Sequence, residues 1–196
     1  MLSLTKIYLH NWHRFQHATL PVRDSLYLTG HNGSGKSSIL DAVQLVLIAD
    51  RTRIRFNASV QDRSDRTLEG YVMGKMGESG ALRSGNTIAY VALEFTDTEK
   101  DAQITLGVCV EVGPGRETER LYFILSEGLE PDLLMQEGQP LSRVRLRPVL
   151  RARRGARDYE HITEYLDDML NRVPPQLGVI MRRPPVEGLW GDGPGA

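Results

Sequence analysis

Gly30-His31-Asn32-Gly33-Ser34-Gly35-Lys36-Ser37 matches the pattern G-x-x-x-x-G-K-[ST]. A loop that wraps a triphosphate must turn successive backbone N–H groups inward, and glycines permit both the dihedrals and the close approach. Lys36 would place a cation on the β- and γ-phosphates, and Ser37 Oγ would ligate Mg²⁺. A helix beginning at Ser37 would aim its positive end at the same oxygens. Eight residues can match by chance, so the flanks decide. Upstream, Leu26-Tyr27-Leu28-Thr29 reads as a short apolar strand running into the loop. Downstream, Ile39, Leu40, Val43, Val46 and Leu47 recur at three- and four-residue spacings, which predicts a helix with one apolar stripe. Strand, glycine loop and helix form the setting the motif requires, and ATP with Mg²⁺ is the implied ligand.

Before the loop, Leu2 to Leu9 alternates apolar and polar residues, with a slip of phase between Leu4 and Ile7. Ala18 to Val22 fits a second short strand. After it, Arg51 to Arg66 is polar and irregular, Leu68 to Met76 suits a short helix, and Gly74, Gly77, Gly80 and Gly85 are expected to mark a mobile connection. Thr87–Phe95, Gln103–Val112 and Arg120–Leu125 read as strands of an antiparallel meander, because turn residues separate them. Ser142 to Leu146 reads as one more strand. Tyr159 to Val173 reads as a helix presenting Ile162, Tyr165, Leu166, Met169 and Leu170 on one face. Residues 174–196 are rich in Pro and Gly and are expected to be disordered. The fold class is α/β, a mixed and partly antiparallel sheet packed on the P-loop helix.

Composition excludes several classes. Hydrophobic residues at 40% and charged residues at 25% are ordinary for a globular chain, and no apolar run is long enough to span a membrane. The single cysteine, Cys109, lies in an apolar run and is expected to be a core thiol in a reducing compartment, the cytoplasm. One Cys and five scattered His give no zinc-ligand spacing. The net charge of −1 hides a local excess, because seven arginines and no acid lie between Arg143 and Arg157. Hydrolysis would also need a carboxylate at the end of an apolar strand. The best endings, Phe95-Thr96-Asp97 and Val110-Glu111, do not show four apolar residues followed by Asp-Glu. The chain is therefore expected to bind ATP without completing its hydrolysis alone.

Strand, Asn11-Trp12-His13-Arg14-Phe15, strand, P-loop and Ser38-Ile39-Leu40-Asp41-Ala42 together resemble the N-terminal half of an SMC-type ABC ATPase head. The Asn-Trp turn and Ile54-Arg55-Phe56-Asn57 look most like the MukB/MksB branch, and within it the condensin-like JetC subunits of Wadjet plasmid-defence systems. The likeness covers residues 1–173. It implies a split head whose C-terminal half, reached through a coiled coil, supplies the signature motif and the catalytic carboxylates. Two such heads would sandwich ATP as a homodimer that drives DNA loop movement in the nucleoid. Kleisin-like and winged-helix subunits, and a nuclease, would be partners. It also implies that Ser38 belongs to the nucleotide site, that Arg14 lies near the nucleotide, and that Arg55 approaches phosphate or DNA. No signature motif, carboxylate pair or coiled coil is present, and no Mg²⁺-completing glutamine loop is identifiable, with Gln136 and Gln139 as candidates. A RecF- or SbcC-type repair ATPase fragment, or a nucleotide-binding regulatory fragment without turnover, remains an alternative.

Other signals stay open at this level. Trp12, His13 and Arg14 could stack on adenine, or Trp12 and Phe15 could plug the core. Arg51, Arg53 and Arg55 alternate beside the phosphate loop, where a solvated loop competes with a phosphate contact. Arg143, Arg145 and Arg147 would line one strand face with charge, and Arg151, Arg153, Arg154 and Arg157 extend the patch. Contact with DNA phosphates competes with pairing to acids of a missing half-domain. Splitting a head would leave sheet edges and apolar surface uncovered, so poor solubility or self-association is expected.

Overall fold

A computed structural model describes residues 1–23, 25–49, 67–75 and 80–172. The strands are β1 (Leu2–Trp12), β2 (Phe15–Pro21), β3 (Thr87–Asp97), β4 (Ala102–Val112), β5 (Glu119–Leu125), β6 (Met135–Gln136), β7 (Gln139–Pro140) and β8 (Arg157–Tyr159). The helices are α1 (Lys36–Leu47), α2 (Leu68–Met73), α3 (Arg143–Arg151) and α4 (Ile162–Arg172), with a 3-10 turn at Pro131–Leu134. Six strands form one sheet in the order β2-β1-β3-β4-β5-β8, and β6-β7 is a separate small ribbon. Every pairing in the six-stranded sheet is antiparallel. The expected meander is β3-β4-β5, its ends within two residues of the sequence reading.

The phase slip in β1 has a structural cause. The register against β3 shifts between Leu4 and Lys6, so Thr5 is an extra residue on the β1 side. A bulge of this kind moves the following side chains to the opposite faces, which restores the alternation from Ile7 onward. At the centre of the sheet, Gly107 stands directly across from Phe123. A Cβ there would lie 2.2 Å from Phe123 Cζ, so the ring occupies the space that glycine leaves.

Alternation along the strands builds two cores. One face carries Ile7, Leu9, Ala89, Val91, Leu93, Val108 and Ile124, and packs with residues of α1, α2 and α4. The other carries Tyr8, Tyr90, Ala92, Cys109, Leu121 and Phe123, and packs with Leu134, Leu141, Leu146 and Leu150. Each large apolar side chain so buried contributes about 1.5–3 kcal/mol. Burial pushes the Cys109 thiol up to about 12, as expected of a core cysteine. Glu94 is 1% exposed, but Lys6 Nζ at 2.9 Å, Tyr8 Oη at 3.2 Å and Leu129 N at 3.0 Å saturate its carboxylate. It is a structural charge.

Four sequence expectations need correction. Ser142–Leu146 is not a strand: Ser142 Oγ accepts from Arg145 N and caps α3, so Leu146 and Leu150 share the buried face at i, i+4. Alternating Arg and apolar residues at 143–147 had imitated a two-residue period. Leu26–Thr29 forms no strand, and Tyr27 is 86% exposed. None of the described strands pairs with it, and extended backbone without a ladder is not a strand. The apolar stripe of α1 is rotated from the expected one. Ile39, Ala42, Leu45 and Val46 are buried, whereas Leu40 is 52% exposed. Finally, the last helix starts at Ile162, because Tyr159 is spent in β8. The expectations for Arg51, Arg53, Arg55, Gly77 and the 174–196 tail lie outside the described residues.

Candidate nucleotide-binding site

The predicted loop has the backbone its sequence demands. Gly30, Gly33 and Gly35 sit at φ of 145°, 80° and 99°, conformations that L side chains rarely adopt. Gly35 is also crowded, since a Cβ would stand 3.0 Å from Phe15 Cζ and 3.2 Å from Arg14 Cδ. It caps α1 in the left-handed conformation with no side-chain acceptor, and no acid lies in the first turn. The leading amides of the helix therefore remain free for an anion. Lys36 Nζ donates to Gly30 O at 2.7 Å and to His31 O at 2.9 Å, with Ser34 Oγ 3.3 Å away. Those bonds hold the ammonium across the loop, while His31 and Asn32 are exposed at its rim. Ser37 is half-buried, and its hydroxyl has no partner among the described residues.

The β1–β2 hairpin closes over this loop. Arg14 Nη1 donates to Gly33 O at 2.5 Å, which places the predicted arginine on the phosphate loop. Trp12 is fully buried, donates Nε1–H to Ser38 O at 2.7 Å and stacks on Tyr71 with centroids 4.7 Å apart. Of the two readings of Trp12, the core plug holds. His13 Nδ1 lies 3.0 Å from Ser38 Oγ, so the 6%-exposed Ser38 turns its hydroxyl to the hairpin. Tyr71 Oη in turn donates to the buried Asp41 of α1.

Sequence reasoning missed Arg83. Its guanidinium donates to Asn11 Oδ1 at 3.1 Å, His13 O at 2.8 Å, Val72 O at 3.0 Å and Phe15 O at 3.1 Å. Burial lowers its pKa from the ordinary arginine value. No periodicity or motif marks residue 83, because its acceptors are oxygens of two other segments, the β1–β2 hairpin and α2. Among the described residues, no carboxylate forms an ion pair with Arg14, Lys36 or Arg83. Two cations on the loop, Arg14 and Lys36, without a carboxylate partner among the described residues suit a polyphosphate, and a Ser37 hydroxyl without a partner among them suits its Mg²⁺.

The other expected contacts lie elsewhere. Asp97 binds the N-terminal ammonium at 3.0 Å, at the end of β1 opposite the hairpin and roughly 30 Å from it along the strand. Glu111 is taken by Arg143 through its backbone N–H and its side chain, at 3.8 Å for the latter. Gln136 and Gln139 stand in the β6–β7 ribbon between Leu134 and Leu141, which pack on the sheet face opposite α1, yet Gln139 lines the same cleft as Asn11, Arg14 and Arg83. Within the arginine patch, Arg143 pairs with Glu119 at 2.6 Å and Arg151 with Asp158 at 3.4 Å. Arg153 pairs with Glu127 at 3.2 Å, and Arg147 reaches Asp158 and Glu160. Most of the patch is thus neutralised by acids of this same chain. Arg145, Arg154 and Arg157 are exposed and form no ion pair among the described residues.

No described helix is long and apolar enough to cross a membrane. No curated protein matches the chain. Residues 4–63 match the family model described as the P-loop containing region of AAA domain, a span that takes in β1, the hairpin, the loop and α1. The chain therefore carries a P-loop nucleotide-binding region similar to that of AAA domains, within an α/β unit consistent with the N-terminal lobe of an ATPase head.

Proposed function

We propose that this chain is the ATP-binding N-terminal half of a split SMC-like ATPase head, of the MukB/MksB and JetC kind, which works on DNA with Mg-ATP. The observation that carries the reading is the loop: three glycines at positive φ, Lys36 across the mouth and Arg14 at its rim, with no acid among the described residues to neutralise them. Two features support the split. The strand-end carboxylates Asp97 and Glu111 are engaged away from the loop, so a catalytic carboxylate would come from a C-terminal half. Tyr27 at 86% and Leu40 at 52% exposure leave apolar surface beside the loop for such a half to cover.

On this reading the second head, the kleisin-like and winged-helix subunits and a nuclease are partners of the assembled machine. DNA contact falls to Arg145 ahead of the ion-paired Arg143 and Arg147, with Arg55 as a further contact. Calorimetric titration with Mg-ATP is the test, with Lys36→Ala as control. Heat in the wild type that disappears in the variant is expected; equal heat in both would remove the nucleotide reading. Mixing with the C-terminal half should then produce ATP turnover. A verified complex that remains inert would overturn the enzymatic part.

A further inference from the structure

Arg14 can help hold a phosphate only if its backbone is fixed, yet it sits in a two-residue turn between Trp12 and Phe15. That turn is strained: Asn11 at φ 49° and His13 at φ 48° are non-glycine residues in the left-handed region. Such a conformation persists only where the surroundings enforce it. The enforcement comes from outside the hairpin. Arg83 donates to His13 O at 2.8 Å and to Phe15 O at 3.1 Å, the two carbonyls that flank Arg14. Its Nε–H reaches Asn11 Oδ1 at 3.1 Å, and Nη1 also binds Val72 O at 3.0 Å, which ties the turn to α2. Gly74 leaves the room, because a Cβ there would stand 2.9 Å from Arg83 Nη1 and 3.0 Å from His13 O. On the far side of the turn, Arg14 binds Gly33 O and Phe15 packs on Gly35.

We infer that Arg83 is a positioning residue of the nucleotide site. Its planar fork spans the carbonyls on either side of Arg14 and so sets that guanidinium over the phosphate loop. The inference rests on the nucleotide-binding reading and goes beyond it by assigning affinity to a side chain far from the loop in sequence. Lysine cannot replace it, since a single ammonium does not reproduce the fork's fixed spacing of donors.

The test is a double-mutant cycle on Mg-ATP affinity, by calorimetry, with melting temperature read on the same samples. Arg83→Ala should weaken binding about tenfold when Arg14 is present and less than about twofold in an Arg14→Ala background. The loss of melting temperature should be similar in both backgrounds, because a purely structural role does not depend on Arg14. If Arg83→Ala does not fold, Arg83→Lys gives the same readout, with the charge kept and the fork lost. Equal weakening in both backgrounds, with wild-type binding intact and Lys36→Ala inactive, would overturn the inference alone. A wild type that binds no Mg-ATP would overturn both it and the reading beneath it.

Discussion

Around the glycine loop, Arg14, Lys36 and Arg83 donate to backbone carbonyls, a hydroxyl and an amide oxygen. Along α3 and its neighbours, Arg143, Arg147, Arg151 and Arg153 donate to carboxylates. A carbonyl oxygen fixes the direction of a cation without cancelling its charge, whereas a carboxylate cancels it. The first region therefore keeps its positive potential for an incoming anion, and the second is close to internally neutral. In the sequence the second region is far denser in arginine, so density misleads about which charge can be used. The acids that neutralise it, Glu111, Glu119, Glu127, Asp158 and Glu160, all lie outside the run.

This contrast can be broken or sharpened by experiment. The largest expected effect is at Lys36. Removing its charge-assisted bonds to phosphate should weaken Mg-ATP binding roughly 100-fold, with little loss of stability, and calorimetry plus thermal melting separate the two. Next is Gly35→Ala, which places a Cβ against Phe15 at φ 99° and should cost about 1–3 kcal/mol in denaturant unfolding while also impairing binding. A smaller effect distinguishes the arginines of the second region. If the proposed DNA contact holds, Arg145→Ala should lower the salt dependence of that binding by about one phosphate contact, and Arg147→Ala by less, because Asp158 and Glu160 already hold that side chain. Equal slopes for the two variants would erase the distinction drawn here.

The smallest effect is a matter of pH. The hydrogen bond from Arg147, with its charge, holds the Glu160 carboxyl below the usual carboxylate range. A carboxylate depressed in the folded state contributes stability above its unfolded pKa, near about 4.3, and loses it as pH falls through the lower folded value. Acid titration of stability should therefore be slightly steeper for the wild type than for Glu160→Gln in that window. Identical acid limbs would show that the pair contributes nothing in solution, the usual fate of exposed ion pairs.

The parts of the fold that were legible in the sequence are those where local pattern and tertiary outcome agree. The loop was readable because phosphate wrapping needs glycine, lysine and serine at fixed offsets, and β3 to β5 because turn residues punctuate alternating strands. The slip in β1 was visible, and the bulge at Thr5 supplies its cause. Failures arose where a local pattern fits two periods or where the partner is distant. At 143–147 the arginines alternate by chance with Val144 and Leu146, while the deciding residue is the Ser142 cap. Leu26–Thr29 has strand composition without a neighbour among the described strands. Within the site, Arg14 was brought to the loop only by the family resemblance, and Arg83 and Tyr71 act through contacts with remote backbone and rings, which leave no trace in spacing.

The buried indole of Trp12 gives the molecule an optical readout of its own. It sits between the Tyr71 ring and the first turn of α1, bonded to the carbonyl of the residue that follows Ser37. Any shift of that turn as a ligand arrives would alter the stacking and polarity around the ring, and with them its emission. The only other tryptophan is Trp190, so Trp190→Phe would leave a single chromophore through which events at the loop could be timed without a label.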